Sequence, residues 1–271
     1  SNNVFRGNNM TGNRYNFGVL GFSLNSFIQD IDTSNTVNNK PIFYMVNKHH
    51  FQITRTNFTN PAYLALVNSS NVSVEGLNFS DNFSGMLLAR ATNCTITNVN
   101  LTRNHEGILL FESSQNTITC NWFDNNCVAA IVYSSNQNVF HHNSFCNNTR
   151  QISSQYLGGT NQPFGSSGPS INKWDNDFEG NFWSDYNGTD SSGDGIGDSP
   201  YIIDANNRDK YPLMNPWTPP EETVSSATIL VITSALIIAL GIAIFIKIGK
   251  QYLSHTSRRI TRLYRRRLSP F

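Results

Sequence analysis

The chain repeats itself at a nearly fixed interval. Apolar anchors at Phe5, Phe27, Ile53, Val74, Ile96, Ile118 and Phe140 follow one another at 22, 26, 21, 22, 22 and 22 residues. Five residues after most of them stands a second apolar side chain: Met10, Phe58, Phe79, Leu101, Phe123 and Phe145. Twelve and fourteen residues after come pairs such as Met86 and Leu88, Ile108 and Leu110, Ala130 and Val132. Within each short segment the apolar positions alternate, which is the period of a strand and not of a helix. A period of about 20 to 30 residues with two or three short strands per copy marks a solenoid, whose turns bury their inner faces only by stacking. Leucine-rich repeats share the period, but no copy here has their Leu-dense strand and helical return. The pattern predicts an all-β parallel β-helix with turns of about 22 residues.

The composition carries the same message. The chain holds 38 asparagines, about as many as its Lys, Arg, Asp and Glu together. Asn82, Asn104, Asn126 and Asn148 are 22 residues apart, so they are expected to stack about 4.8 Å apart at one corner of the coil. Asparagine tolerates the left-handed backbone such a corner needs, and its amide can bond the next rung. The column Asn71, Asn93, Gln115 and Gln137 predicts a second ladder. Gly85 and Gly107 recur and are expected to serve the same conformational need.

The two ends of the chain differ. Residues 1–222 carry 11 basic and 18 acidic side chains, whereas residues from 247 onward carry 8 basic and no acidic ones. Between them, residues 223–246 contain no charge, and as a helix they would span about 36 Å, enough for a hydrocarbon core of about 30 Å. Basic flanks stay on the cytoplasmic side, which places residues 1–222 outside the cell, with a cleaved leader expected for that orientation. The predicted organisation is a β-helix over 1–165, an aromatic and Asp/Gly-rich capping segment over 166–214, a Pro-rich stalk over 215–222, a single membrane-spanning helix over 223–246 anchored in lipid, and a basic cytoplasmic tail over 247–271.

The N-x-I…N-x-F…N-N…G-I-x-L style of repeat, the segment DIDTSNTVNNKPIFYMVN at 30–47 and the segment GNFWSDYNGTDSSGDGIGDSPYIID at 180–204 resemble the NosD-like proteins, over roughly residues 1–214. That family is common among archaeal surface proteins and is a branch of the right-handed parallel β-helix proteins that bind or cleave carbohydrate. The resemblance implies a right-handed coil. It implies activity only loosely, because members include a maturation factor of a copper enzyme, sugar-active enzymes and surface proteins.

Several residues are candidates for chemistry. Asp190, Ser192, Asp194, the Ile196 carbonyl and Asp198 alternate as in the first half of a calcium loop, although Tyr201 stands where a bidentate Glu would close it. This predicts a Ca²⁺ site, with an Asp/Gly turn capping the coil as the competing reading. His49-His50 and His141-His142 invite a copper reading, but they occupy different phases of the repeat with no Met or Cys cluster joining them. Four cysteines suit an extracellular, disulfide-permissive setting, with Cys127 and Cys146 the favoured pair. Glu106 and Asp124 are the best carboxylate pair for a carbohydrate-cleaving enzyme, against a reading as solvated surface charges. Asn57, Asn78 and Asn100 begin outward-facing N-x-S/T sequons and are the expected glycosylation acceptors. Trp122, and Phe111 stacked over Tyr133, are expected as exposed aromatics that meet a sugar ring or an envelope protein. The functional expectation is a non-catalytic surface module that binds glycan or another envelope or membrane protein. An enzyme and an accessory subunit of a membrane complex are the alternatives, and no nucleic-acid partner is expected.

Overall fold

The computed structural model describes residues 2–154 and 170–218. The predicted membrane helix at 223–246, the tail at 247–271 and the second half of the stalk, 219–222, lie outside them. Among the described residues no helix is long and apolar enough to cross a membrane. The described residues all belong to one compact unit, Ser1–Pro219.

The repeat builds a parallel β-solenoid with three faces. Face A comprises Lys40–Val46, Tyr63–Val67, Ser84–Ala89, Glu106–Phe111, Val128–Tyr133 and Arg150–Ser153, each paired in parallel with the next. Face B comprises His49–Ile53, Ser70–Glu75, Thr95–Thr97, Thr117–Thr119 and Val139–His141. Face C comprises Asn78–Ser80, Asn100–Thr102, Trp122–Asp124, Ser144–Cys146 and Phe182–Trp183. The register follows the sequence period: Ile53, Val74, Ile96, Ile118 and Phe140 form one inward column. Phe79, Leu101, Phe123, Phe145 and Trp183 form another. These columns and the inward residues of face A make one continuous core.

A second core lies outside the coil. On face A the side chains of both pleats are buried, with Tyr63, Ala65, Val67, Leu87, Ala89, Leu109, Phe111 and Ile131 packed against Phe27, Ile31 and Val37. The N-terminal residues form the covering layer. Phe5 pairs with Ile31 and Met10 with Val37, while Phe27 sits in a four-residue helix, Leu24–Phe27. Phe5 and Phe27 therefore do not continue the inward column as their spacing predicted. Two-sided burial is what YLALV, GMLLA, GILLF and AAIVY encode: they are unbroken apolar runs, and a strand with one wet face would alternate.

The corners use a two-residue device. Asp81, Arg103, Asn125 and Asn147 adopt the left-handed region (φ 61°, 54°, 54° and 52°), and the next residue turns inward as a ladder member. Asn82, Asn104 and Asn126 each donate a backbone N–H to the side-chain oxygen of Asn104, Asn126 and Asn148, at 2.9 to 3.0 Å. The predicted ladder forms, but its left-handed residue is the one before it. The column Asn71, Asn93, Gln115 and Gln137 is likewise left-handed, and the ladder follows one residue later, through Cys94, Asn116, Asn138 and Asn172. Gly85 and Gly107 are not needed for their φ. A Cβ on Gly107 would stand 2.4 Å from the Ala129 carbonyl oxygen, and one on Gly85 2.7 Å from that of Gly107, so close backbone approach excludes a side chain there.

The C-terminal end of the coil is closed by rings and by the same ladders. Phe145, Trp183 and Tyr201 stack at 4.4 and 4.3 Å, and Trp174 stacks on Phe140 at 4.3 Å. Phe178, in the aromatic segment predicted to cap the coil, takes no part in this closure and is 77% exposed. The ladder Asn121, Asn143, Asn181 ends on the buried carboxylate of Asp209, which accepts from Asn181 N, Trp183 Nε1 and Tyr211 N.

Candidate functional site on the outer wall

The predicted site residues scatter over all three faces. Glu106 is not a solvated surface charge: it is 4% exposed, bonds only Ser84 Oγ at 2.8 Å, and burial pushes its pKa up to about 7. The N-terminal segment crosses its neighbours, with Phe83 N–H donating to the Phe17 carbonyl and the Tyr15 ring set against His105. Asp124 lies on another sheet and accepts from Asn125 Nδ2 and Asn147 Nδ2. The structure does not bring the two carboxylates together as a catalytic pair.

Phe111 stacks on Tyr133 at 5.2 Å as expected, but not in the open: Phe111 is 1% exposed, with Phe27 4.9 Å away on its outer side. Trp122 remains 36% exposed, in the outward column Asn78, Asn100, Trp122, Ser144 of face C. All three sequon asparagines are exposed. Asn100 donates its amide to Asn78 Oδ1, and Asn57 uses its own to close a turn with Gln52 and Thr54.

In the Asp/Gly loop the carboxylates turn toward the loop's own donors. Asp190 accepts from Ser192 Oγ and the N–H groups of Gly193, Asp194 and Gly195; Asp198 accepts from Thr189 Oγ1 and both donors of Ser191; Asp194 accepts from Ile196 N. These bonds hold Asp190 and Asp198 below the usual carboxylate range. All four cysteines are free thiols, and Cys127 is engaged by the Tyr15 hydroxyl at 3.0 Å, not by Cys146.

The densest chemistry sits where face B turns into face C. A cavity of about 160 Å³ there is lined by Asn100, Cys120, Trp122, His142, Ser144 and Trp217, among others. Asn98, Cys120 and His142 are the left-handed corner residues of consecutive rungs (φ 53°, 59° and 57°), so their side chains share one column facing outward. The Trp217 ring stacks on His142 at 5.0 Å, and the Trp217 backbone N–H donates to Ser144 Oγ. His142 Nε2 is 2.7 Å from Glu179 Oε2. A carboxylate accepts from Nε2–H, and in the neutral imidazole that tautomer leaves the Nδ1 lone pair free. That Nδ1 lies 3.3 Å from His141 Nδ1, which in turn lies 3.3 Å from Thr119 Oγ1. The same hydroxyl is 3.3 Å from Cys120 Sγ.

Two imidazole nitrogens at that separation match the edge of a tetrahedron with metal–nitrogen bonds of about 2.0 Å. Glu179 supplies the outer partner that ligating histidines use. Among the described residues no group of three or more His, Cys, Asp or Glu is gathered to hold a metal ion, so the preformed donor set is this pair. Cys120 precedes His142 by one full turn, a 22-residue interval the sequence contains, so the two share a column.

No curated protein and no solved structure matches this chain. A family model described as "Periplasmic copper-binding protein (NosD)" matches residues 1–188, which takes in all three faces through Phe182–Trp183. By that match over more than half of its length, the chain belongs to the NosD family.

Proposed function

We propose that this protein is a membrane-anchored extracellular β-helix module that binds glycan without cleaving it. Trp122 carries this reading: an exposed indole on a flat parallel wall, beside a cavity that Trp217 walls on another side and Asn98 and Asn100 line with amides. Aromatic faces with adaptable amides are what a sugar ring needs, one for its apolar C–H face and the other for its hydroxyls. The burial of Glu106 under the N-terminal layer, away from Asp124, favours binding over hydrolysis, which requires two facing carboxylates. The anchor at 223–246, the outward-facing sequons and a Ca²⁺ role for the 190–198 loop belong to the same proposal, and the family's periplasmic description supports the extracellular placement.

Titration of the full chain with the oligosaccharides of its own cell envelope tests it. Trp122→Ala is expected to weaken binding at least about tenfold while leaving the melting temperature unchanged, because a partly exposed side chain on a wall contributes little to stability. Unchanged affinity in that variant would remove the glycan reading. Retention of a membrane protein in place of sugar would point to the envelope-partner alternative.

A second reading comes from the family description and is favoured by one observation, the facing Nδ1 atoms of His141 and His142. Copper suits imidazole and thiol donors, and the chain presents both at one corner. Under this reading the chain holds copper on its outer wall.

A further inference from the structure

We propose that the cavity beside Trp122 is an end-on site, which takes one uncharged terminal ring of a glycan, and that Trp217 is the stop against which the ring sits. The inference rests on the glycan reading and adds to it the length and the charge of what is bound. Its first support is a blocked track. A row of sugars lying along the wall would follow the outward column of face C, Asn78, Asn100, Trp122 and Ser144. Ser144 closes that path: it is in register with Trp122 yet only 1% exposed, and Trp217 lies on its rung, with its backbone N–H on Ser144 Oγ at 3.2 Å and its ring stacked on His142. A glycan can enter here by its end and cannot run through.

The second is size. The cavity measures about 160 Å³. That is near half the smallest volume typical of pockets for drug-sized ligands, so it admits a single ring. One rung back from Trp122, Asn100 Nδ2 donates to Asn78 Oδ1 at 2.7 Å. These two amides spend a donor and an acceptor on each other, which leaves less for a second ring.

The third is charge. The lining offers amides, a hydroxyl, a thiol, two indoles and an imidazole, and no Arg, Lys, Asp or Glu. The imidazole of His142 is already matched by Glu179, 2.7 Å from its Nε2. A carboxylate or sulfate on the sugar would give up its water here without gaining a cation of its own, which is unfavourable. Hydroxyls find the amides of Asn98 and Asn100, and the apolar face of the ring finds an indole.

The full chain in detergent would be titrated with three sets of probes: the neutral monosaccharides of its cell envelope as methyl glycosides, neutral envelope oligosaccharides fractionated by length, and the matching uronic acids. Tryptophan fluorescence and saturation-transfer NMR would read the binding. The expected result is that a neutral methyl glycoside binds, that lengthening it improves affinity less than about threefold, and that the uronic acid binds at least about tenfold more weakly. Trp217→Ala removes the stop and leaves the asparagine ladders in place. It should weaken the single ring at least about fivefold and make affinity rise with chain length, as the path over Ser144 opens. A purely structural role for Trp217 would instead weaken all lengths alike, and that outcome would overturn the stop. Wild-type affinity that climbs severalfold with each added ring, or a preference for the acidic sugar, would overturn the end-on site while leaving the glycan reading in place. Binding of no sugar at any length would overturn both.

Discussion

A carboxyl group buried on one hydroxyl partner is a measurable liability, and Glu106 is such a group. Its folded pKa of about 7 lies above the ordinary carboxyl range because burial disfavours the charge more than Ser84 Oγ can stabilise it. Between about pH 4.5 and 7 the folded chain therefore keeps a proton that the unfolded chain releases. Stability is highest below that window and falls as pH rises through it, by a total of about 3 kcal/mol for this group. Asp209, pushed up to about 6 by its burial, acts in the same sense, so the informative quantity is the difference between wild type and variant. Glu106→Gln is expected to raise stability at pH 8 by up to about 3 kcal/mol, with little effect at pH 4. Urea midpoints at the two pH values would show this, and an equal shift at both would contradict the assignment. At this scale the sequence was a partial guide. Trp122 was read as outward and is exposed. Glu106 was read as solvated, because nothing in its own repeat announces that residues fifteen to eighteen lie over the neighbouring rungs.

The solenoid's elements are too short to stand alone, and their corners show how they are joined. Strands of two to seven residues satisfy their backbone only along each face, so every corner leaves peptide groups without a strand partner. The ladder asparagines act there as added peptide groups. Asn143 accepts the N–H of Asn121 with Oδ1, and its Nδ2 donates to the Ile118 carbonyl one turn away and to Asn181 Oδ1. Asn143→Ala would strand buried donors and acceptors on both neighbouring rungs, so a loss of about 2 to 4 kcal/mol is expected. His142→Asn, one residue earlier and on the outside, should cost far less, and the contrast can be read from paired thermal melts. Equal effects would mean that the ladder is not what holds the corner. This device was legible as a 22-residue column of asparagines. Its phase within the corner was not, because one period is compatible with the left-handed residue standing at the ladder position or just before it.

For the whole molecule, the asymmetry of charge about residues 223–246 predicts an orientation that can be tested on sealed membranes. Protease added on the outside should digest residues 1–222 and spare a fragment ending in the basic tail. Cleavage among Arg258–Arg267 from the outside would reverse the topology. What the sequence by itself determined is the coil: its period, its inward columns and the pairing of each rung with the next, since a fixed interval specifies which residue stacks on which. What only the tertiary structure decided is which wall stays free. The N-terminal residues depart from the period and fold back across the outer side of face A, burying Phe111, while Trp122 on face C stays exposed. A repeat cannot encode that choice. It specifies contacts along the axis of the solenoid, whereas the cover is an apolar contact made sideways by a segment that does not repeat.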